Sequence, residues 1–158
     1  MRRGFLKKSY CYEVDDEARA ALIETAHING VRDSVVVRGA GESSFYQAIF
    51  SDGIDPNDMV ILSDVEGYEF NIFTAETLAA LSGAIIIIEI HDWDGRNHNY
   101  EKLRQDAEQH FTISEIRTGA RDLSYIDEIR GFYDSDRWIL CSEGRGDFGK
   151  WLKLTPKV

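Results

Sequence analysis

The spacing of apolar residues changes repeatedly along the chain between a strand-like and a helix-like period. Runs rich in apolar and β-branched residues predict strands over residues 9–14, 34–37, 59–63, 85–88, 112–117 and 138–142. Apolar residues three or four positions apart predict helices around residues 18–26, 44–50, 74–81 and 100–111, with a small one around 123–129. Strands that alternate with helices indicate crossover connections.

This order predicts an α/β fold: a Rossmann-like, mostly parallel sheet with helices on both faces. Four consecutive isoleucines, Ile85 to Ile88, are typical of a strand that is covered on both faces. The chain has 158 residues, which is the length of a single domain, 1–158. Because parallel neighbours need crossover helices, the strands that end near Glu13, Asp64 and His91 are expected to be parallel and to share one sheet.

Composition narrows the class of protein. Eight Phe, seven Tyr and three Trp predict a chain that collapses around a core. The net charge of −10 argues against a nucleic-acid partner, which needs a basic surface. The longest apolar run, Ala84 to Ile88, is too short to cross a membrane. Cys11 and Cys141 form no CxxC pair, which fits a protein of the reducing cytoplasm.

Polar residues at the ends of two apolar strands are the candidates for chemistry, because ligands gather at the carboxyl ends of parallel strands. Asp64 and Glu66 follow one strand, and Glu89 and His91 end the next. Residues two apart point to one side of a strand, so we expect the four groups to converge. Such a set can hold a divalent cation, or it can make His91 a general base. The alternatives are an ordinary strand-end turn and a hydrogen-bonded structural histidine.

Glu13 ends the first predicted strand and has two interpretations. A carboxylate in this place can accept hydrogen bonds from ribose hydroxyls in a nucleotide-binding sheet. With Asp15 and Asp16, it can instead form the acidic start of a helix.

Three segments carry a resemblance to a known family. Residues 11–15, with the helix that leads to Gly30, resemble the second strand and following helix of S-adenosylmethionine-dependent methyltransferases. Residues 61–69 (ILSDVEGYE) and 86–91 (IIIEIH) are similar to the signature of the FkbM-type branch. The resemblance covers roughly residues 9–91.

The resemblance implies a class I methyltransferase-like fold and O-methylation of a hydroxyl on a sugar or small natural product. It implies that Glu13 holds the ribose of S-adenosylmethionine and that Gly39, Ala40 and Gly41 border the adenine. Asp64 and Glu66 would face the methyl donor and acceptor. We expect His91 to take the hydroxyl proton, while Asp64 or Glu66 orients it or holds a cation.

The chain departs from the family at its start. Only residues 1–8 precede the first predicted strand, and Gly4 is their only glycine, so the family's first strand and Gly-rich loop are expected to be missing. The fold would be N-terminally incomplete, and the chain alone would bind S-adenosylmethionine weakly.

Three explanations stay open for this departure. The chain is a fragment of a longer enzyme, or a second copy or partner chain supplies the strand, or the chain is a degenerate member that has lost cofactor binding. The alternative function is accordingly a non-catalytic or truncated binding or assembly module. A third hypothesis is a metal-dependent hydrolase that uses Asp64, Glu66, Glu89 and His91 to activate water.

Overall fold

The structure is a computed structural model, and it describes residues 6–91, 98–117, 119, 123, 125–140 and 149–157. Six strands occur in these ranges: β1 (Ser9–Tyr12), β2 (Val35–Arg38), β3 (Val60–Ser63), β4 (Ile85–Ile90), β5 (Phe111–Arg117) and β6 (Lys150–Pro156). The α-helices are α1 (Asp16–Ile28), α2 (Phe45–Ser51), α3 (Glu69–Ile72), α4 (Ala75–Ala80), α5 (His98–Ala107) and α6 (Asp134–Leu140). None of the helices in these ranges is long and apolar enough to cross a bilayer.

The strands form two hydrogen-bonded sheets. β1 pairs with β2 in parallel, and the second sheet has the order β3-β4-β6-β5. β3 and β4 are parallel, whereas β6 lies between β4 and β5 and is antiparallel to both. The predicted α/β fold is confirmed. The expectation of one shared sheet is wrong for the strand that leads to Glu13, because β1 pairs only with β2 among the described strands.

Local sequence explains where the main crossover helix starts and stops. The Asp15 side chain caps α1 by accepting a hydrogen bond from the Ala18 backbone N–H at 2.8 Å. Asp16 and Glu17 in the first turn interact favourably with the helix dipole. Gly30 follows the helix with φ 59°, a left-handed conformation that glycine adopts without steric cost. Helix α1 packs against β2, as a parallel crossover requires.

One hydrophobic core joins the two sheets. It is centred on β4 and β6, whose inward residues are fully buried and pack against α4 and α5 (Ile86, Ile88, Leu152, Leu154, Leu78, Leu103). Tyr46 and Ile49 of α2 belong to the same core, and Tyr10 and Tyr12 of β1 pack against it. The β1–β2 pair is therefore held to the rest of the molecule by side-chain packing through α2.

The opposite face of β3 is not covered by the described residues. Val60 is 60% exposed and Leu62 is 70% exposed. The alternate residues of the strand, Ile61 and Ser63, face the core. Alternate residues of a strand point to opposite faces, so one face of β3 is buried and the other is open. The edge of β3 that does not pair with β4 is also unpaired among the described strands.

The carboxyl-terminal part departs from the sequence prediction. Residues 138–140 of the expected strand 138–142 lie in helix α6, and residues 141–142 lie outside the described residues. Trp138, Ile139 and Leu140 are exposed, so this apolar run does not mark a buried strand. The last strand is β6, which begins at Lys150 instead. The small helix expected around 123–129 is a short 3₁₀ turn, Asp127–Ile129.

The two faces of the sheet should respond differently to truncation. We expect Leu154→Ala to lower the free energy of unfolding by about 2–5 kcal/mol, because it leaves a cavity in a fully buried layer. The matched change Leu62→Ala should cost less than about 1 kcal/mol, because that side chain is mostly in water. Urea unfolding measures both. Equal losses would show that the β3 face is covered in solution.

Candidate functional site

The parallel pairing of β3 and β4 places the candidate residues side by side. Ser63 lies opposite Ile88 in the register, and the next positions along the two segments are Asp64 and Glu89. His91 follows the last residue of β4, Ile90. The carboxyl ends of both strands therefore present their polar groups at the same edge of the sheet.

His91 is the centre of this site. Its Nε2 lies 3.7 Å from Asp64 Oδ1 and 3.6 Å from Glu66 Oε2, and its side chain is 7% exposed. Both carboxylates reach the imidazole from the more exposed side. The structure thus brings together Asp64, Glu66 and His91, as the sequence predicts. Their catalytic roles stay predictions.

Glu69 holds His91 from the buried side. Its Oε1 accepts a hydrogen bond from the His91 backbone N–H at 2.6 Å, and its Oε2 lies 3.6 Å from His91 Nδ1. The side chain of Glu69 is fully buried at the start of α3. This residue is not among the candidates predicted from the sequence. The available signal was its place as an acid between two aromatic residues, Tyr68 and Phe70.

A left-handed turn aims Glu66 at the imidazole. The Tyr68 N–H donates to the Val65 carbonyl at 3.1 Å, and the two central residues have positive φ, 49° at Glu66 and 97° at Gly67. Glycine tolerates this conformation, but a glutamate is strained there by about 1–2 kcal/mol. Strand alternation, on which the prediction relied, ends at Ser63, so Glu66 reaches His91 because of the turn.

Glu89 completes the cluster from within β4. It is 2% exposed, and single ligand atoms of Asp64, Glu89 and His91 all lie within 4.8 Å of one another. Oxygen and imidazole ligands at such spacing are compatible with a divalent cation. Three of the four residues proposed from the sequence as a cation site, Asp64, Glu89 and His91, therefore converge, and Glu66 approaches His91 beside them.

The carboxyl end of β2 borders a groove. A cavity of about 460 Å³ is lined by Tyr12, Arg38, Gly39, Ala40 and Phe45, together with Glu42, Ser44 and Ala48. A Cβ added to Gly39 would meet nothing within 4 Å, so this backbone faces open space. Burial raises the pKa of the Tyr12 phenol, and the nearby positive Arg38 opposes part of the rise. The groove presents aromatic and cationic groups beside accessible backbone.

Glu13 lies at the end of β1, next to this groove's strand pair. Its backbone N–H donates to the Arg38 carbonyl at 3.2 Å, which extends the β1–β2 pairing by one residue. Its Oε1 accepts a hydrogen bond from the Asp15 N–H at 2.9 Å, as a residue that orders the start of α1 would do. Glu13, Gly39 and Ala40 thus lie at the end of the β1–β2 sheet, whereas Asp64 belongs to the other sheet.

Comparison with solved structures identifies the fold. No protein-family profile matches the chain. No curated protein matches it either. The chain is similar to a candidate tRNA (m1A22) methyltransferase of Streptococcus pneumoniae, with TM-score 0.55 and 17% identity over 98% of this chain and 55% of that one.

Two further structures show the same likeness. A candidate precorrin-6Y C5,15-methyltransferase domain of Corynebacterium diphtheriae gives TM-score 0.52 and 15% identity over 95% of this chain and 76% of that one. A candidate O-methyltransferase of Klebsiella pneumoniae gives TM-score 0.54 and 16% identity over 95% and 62%. The fold is methyltransferase-like. The chain spans between 55% and 76% of the length of these structures.

The strain at Glu66 gives a test of the turn that is independent of activity. We expect Glu66→Gly to be about 1 kcal/mol more stable than Glu66→Ala, because both remove the carboxylate but only glycine adopts φ 49° freely. Urea unfolding of the two variants measures the difference. Equal stability would mean that the left-handed turn is not retained in solution.

Proposed function

We propose that the protein is an S-adenosylmethionine-dependent O-methyltransferase of the FkbM type that acts on a hydroxyl of a sugar or small natural product. The observation that carries the proposal is His91, which lies between carboxylates at the carboxyl end of two parallel strands of a methyltransferase-like fold. The resemblance of residues 61–69 and 86–91 supports the FkbM type. The free thiol of Cys11 is compatible with the cytoplasm as the proposed location.

The proposed reaction is an in-line displacement. With S-adenosylmethionine bound, the substrate oxygen would form a bond to the methyl carbon while the bond from that carbon to sulfur would break, and the electron pair would stay on sulfur as a thioether. The hydroxyl proton would pass to His91 Nε2, which lies 3.6 Å from the exposed carboxylate of Glu66. Glu69 accepts a hydrogen bond from the His91 backbone N–H and lies 3.6 Å from Nδ1 of the imidazole. Proximity and alignment of donor and acceptor supply most of the rate enhancement.

The residues at the strand ends fit the proposed cofactor. Glu13 would accept hydrogen bonds from the ribose, and Gly39 and Ala40 would border the adenine beside the Tyr12 ring. The groove at Gly39 has about 460 Å³, a volume in the usual range for small-molecule sites. Asp64 would face the sulfonium end. S-adenosylmethionine supplies the electrophilic methyl group when it is bound.

A strand between β1 and β3 is the proposed missing part of this cofactor site. Both strands have an edge that is unpaired among the described residues, and the outer face of β3 exposes Val60 and Leu62. Unpaired strand edges favour pairing with another segment. We propose that additional polypeptide, from this protein, a second copy or a partner chain, provides that strand.

The alternative function is a binding or assembly module that keeps the fold without transferring methyl groups. The same free edges and the exposed apolar face of β3 favour it, because they suit association with another chain. Cofactor binding separates the two functions.

We expect the chain alone to bind S-adenosylmethionine weakly, at the strand ends. We expect millimolar S-adenosylmethionine to shift the amide NMR signals of Glu13, Gly39, Ala40 and Asp64, because these residues lie at the strand ends that would contact it. S-adenosylhomocysteine should shift the same signals. ATP, which shares the adenosine but adds negative charge to a chain of net charge −10, should shift them less.

Titration calorimetry measures the affinity of the chain for S-adenosylmethionine. Low-micromolar affinity of the 158-residue chain would show that a strand between β1 and β3 is not needed. Absence of any shift at the four residues, with shifts elsewhere or none, would favour the assembly module.

Loss of His91, or of the charge of the more exposed Asp64, should lower turnover. In a preparation that transfers the methyl group from labelled S-adenosylmethionine, we expect His91→Ala to lower kcat by about 10²–10⁴, the usual contribution of a general base. Asp64→Asn should also lower kcat, whereas its melting temperature should stay close to that of the parent, because Asp64 is 46% exposed. Normal turnover in both variants would leave His91 a structural residue.

A further inference from the structure

We propose that Asp64, Glu89 and His91 bind one divalent cation, and that Glu69 orients His91 as a ligand. Single ligand atoms of the first three residues lie within 4.8 Å of one another. Binding itself does not depend on the proposed methyl transfer, although the use made of the cation rests on that function.

The contact distances around His91 are those of ligands that share an ion. A hydrogen bond from an imidazole nitrogen to oxygen spans about 2.7–3.2 Å, whereas Nε2 lies 3.6 and 3.7 Å from the Glu66 and Asp64 oxygens. Two ligand atoms bonded to one cation at about 2.1–2.4 Å, with angles near 90–109°, are roughly 3.0–3.9 Å apart. The 3.7 Å between His91 Nε2 and Asp64 Oδ1 falls in this range, and the Glu89 oxygen lies within the 4.8 Å limit of the group.

Glu69 gives independent support because it is a fully buried carboxylate aimed at the back of the imidazole. Its Oε2 lies 3.6 Å from Nδ1 and has no hydrogen-bond partner among the residues that the structure describes. Histidine ligands usually donate the N–H of their second nitrogen to such a carboxylate, which fixes the tautomer that leaves Nε2 available for the metal. Glu69 occupies that position.

Charge and ligand type identify the kind of cation. Asp64, Glu66, Glu69 and Glu89 place four carboxyl groups around the His91 imidazole, and carboxylate oxygens with an imidazole nitrogen form a donor set that suits a dication. Carboxylate oxygens suit Mg²⁺ and Mn²⁺, whereas imidazole suits transition metals, so the mixed ligand set favours a transition metal such as Mn²⁺ over Mg²⁺. Mn²⁺ is also paramagnetic, which makes it the probe of choice.

A bound cation changes the role of His91 in the proposed reaction. The lone pair of Nε2 cannot hold a metal and accept a proton at the same time. With the cation bound, a substrate hydroxyl that coordinates it becomes more acidic. Its proton would pass to Glu66, the most exposed carboxylate of the cluster.

The test is Mn²⁺ titration of the complete 158-residue chain, followed by electron paramagnetic resonance. We expect loss of the free Mn²⁺ signal with one site per chain, and electron spin-echo modulation from a directly bound ¹⁴N. Asp64→Asn should weaken binding at least tenfold, because a charged ligand is lost. Glu69→Gln, which can still accept from the His91 N–H, should weaken it by about 10–100-fold.

The control is Asp58→Asn, which removes the same charge from an exposed acid at the opposite end of β3 and should bind Mn²⁺ like the parent. The ¹⁴N modulation should disappear in His91→Ala. Three results would overturn the proposal: no binding at millimolar Mn²⁺, equal weakening by Asp64→Asn and Asp58→Asn, or a bound ion without nitrogen coordination. Each is independent of methyl transfer, so a failure here leaves the proposed function to its own tests, whereas binding through His91 would retain the proposed transfer and move the proton acceptor from His91 to Glu66.

Discussion

Because β3 and β4 pair in parallel with Ser63 opposite Ile88, every polar group of the site starts from a fixed place at one edge of the sheet. A slip of one residue would exchange the faces of β4, moving Ile86 and Ile88 out of the core and turning Glu89 into it. Since residues 85–88 are all isoleucine, the register is set by the next two positions, where Ile90 belongs to the apolar core and Glu89 does not, and the register sets the site. The packing that stabilises the core therefore also determines where the carboxylates lie.

Glu69 shows what the site costs the fold. A carboxyl group without solvent contact gives up the hydration that it has in the unfolded chain. The His91 N–H, at 2.6 Å, and the imidazole offset part of that loss. For stability alone, an apolar side chain would suit position 69, which lies beside the buried Ile72 and Phe73. The contact of this acid with His91 ties the buried side of the site to the helix α3 that begins there.

The sequence was informative where a local pattern decides the structure. Helix α1 starts at its Asp15 cap, and β4 coincides with the isoleucine run, because capping and strand burial depend on near neighbours. The hydrophobic pattern wrongly predicted a strand at residues 138–140, where an apolar run is helical and exposed. It also missed β6, whose pairing between β4 and β5 joins segments distant in sequence. Glu69 and the turn at Glu66 were missed as well, since both depend on contacts across the fold.

The two halves of the proposed cofactor site belong to different sheets, so no described backbone ladder fixes their separation. Glu13 and Gly39 lie on the β1–β2 side, and Asp64 lies on the other. Helix α2 supplies the described link: the Tyr12 hydroxyl donates to the Phe45 carbonyl at 2.9 Å, and just before the helix the Thr77 hydroxyl donates to the Ser43 carbonyl at 2.9 Å.

Side-chain contacts of this kind hold two sheets less rigidly than a shared strand would, since each strand pair contributes a ladder of backbone hydrogen bonds. A donor and an acceptor must be aligned to within a fraction of an ångström for efficient transfer. A strand that paired with both β1 and β3 would convert the two sheets into one and fix Glu13 relative to Asp64. Cofactor affinity is thus expected to depend on sheet completion more than on the substitution of any single contact residue.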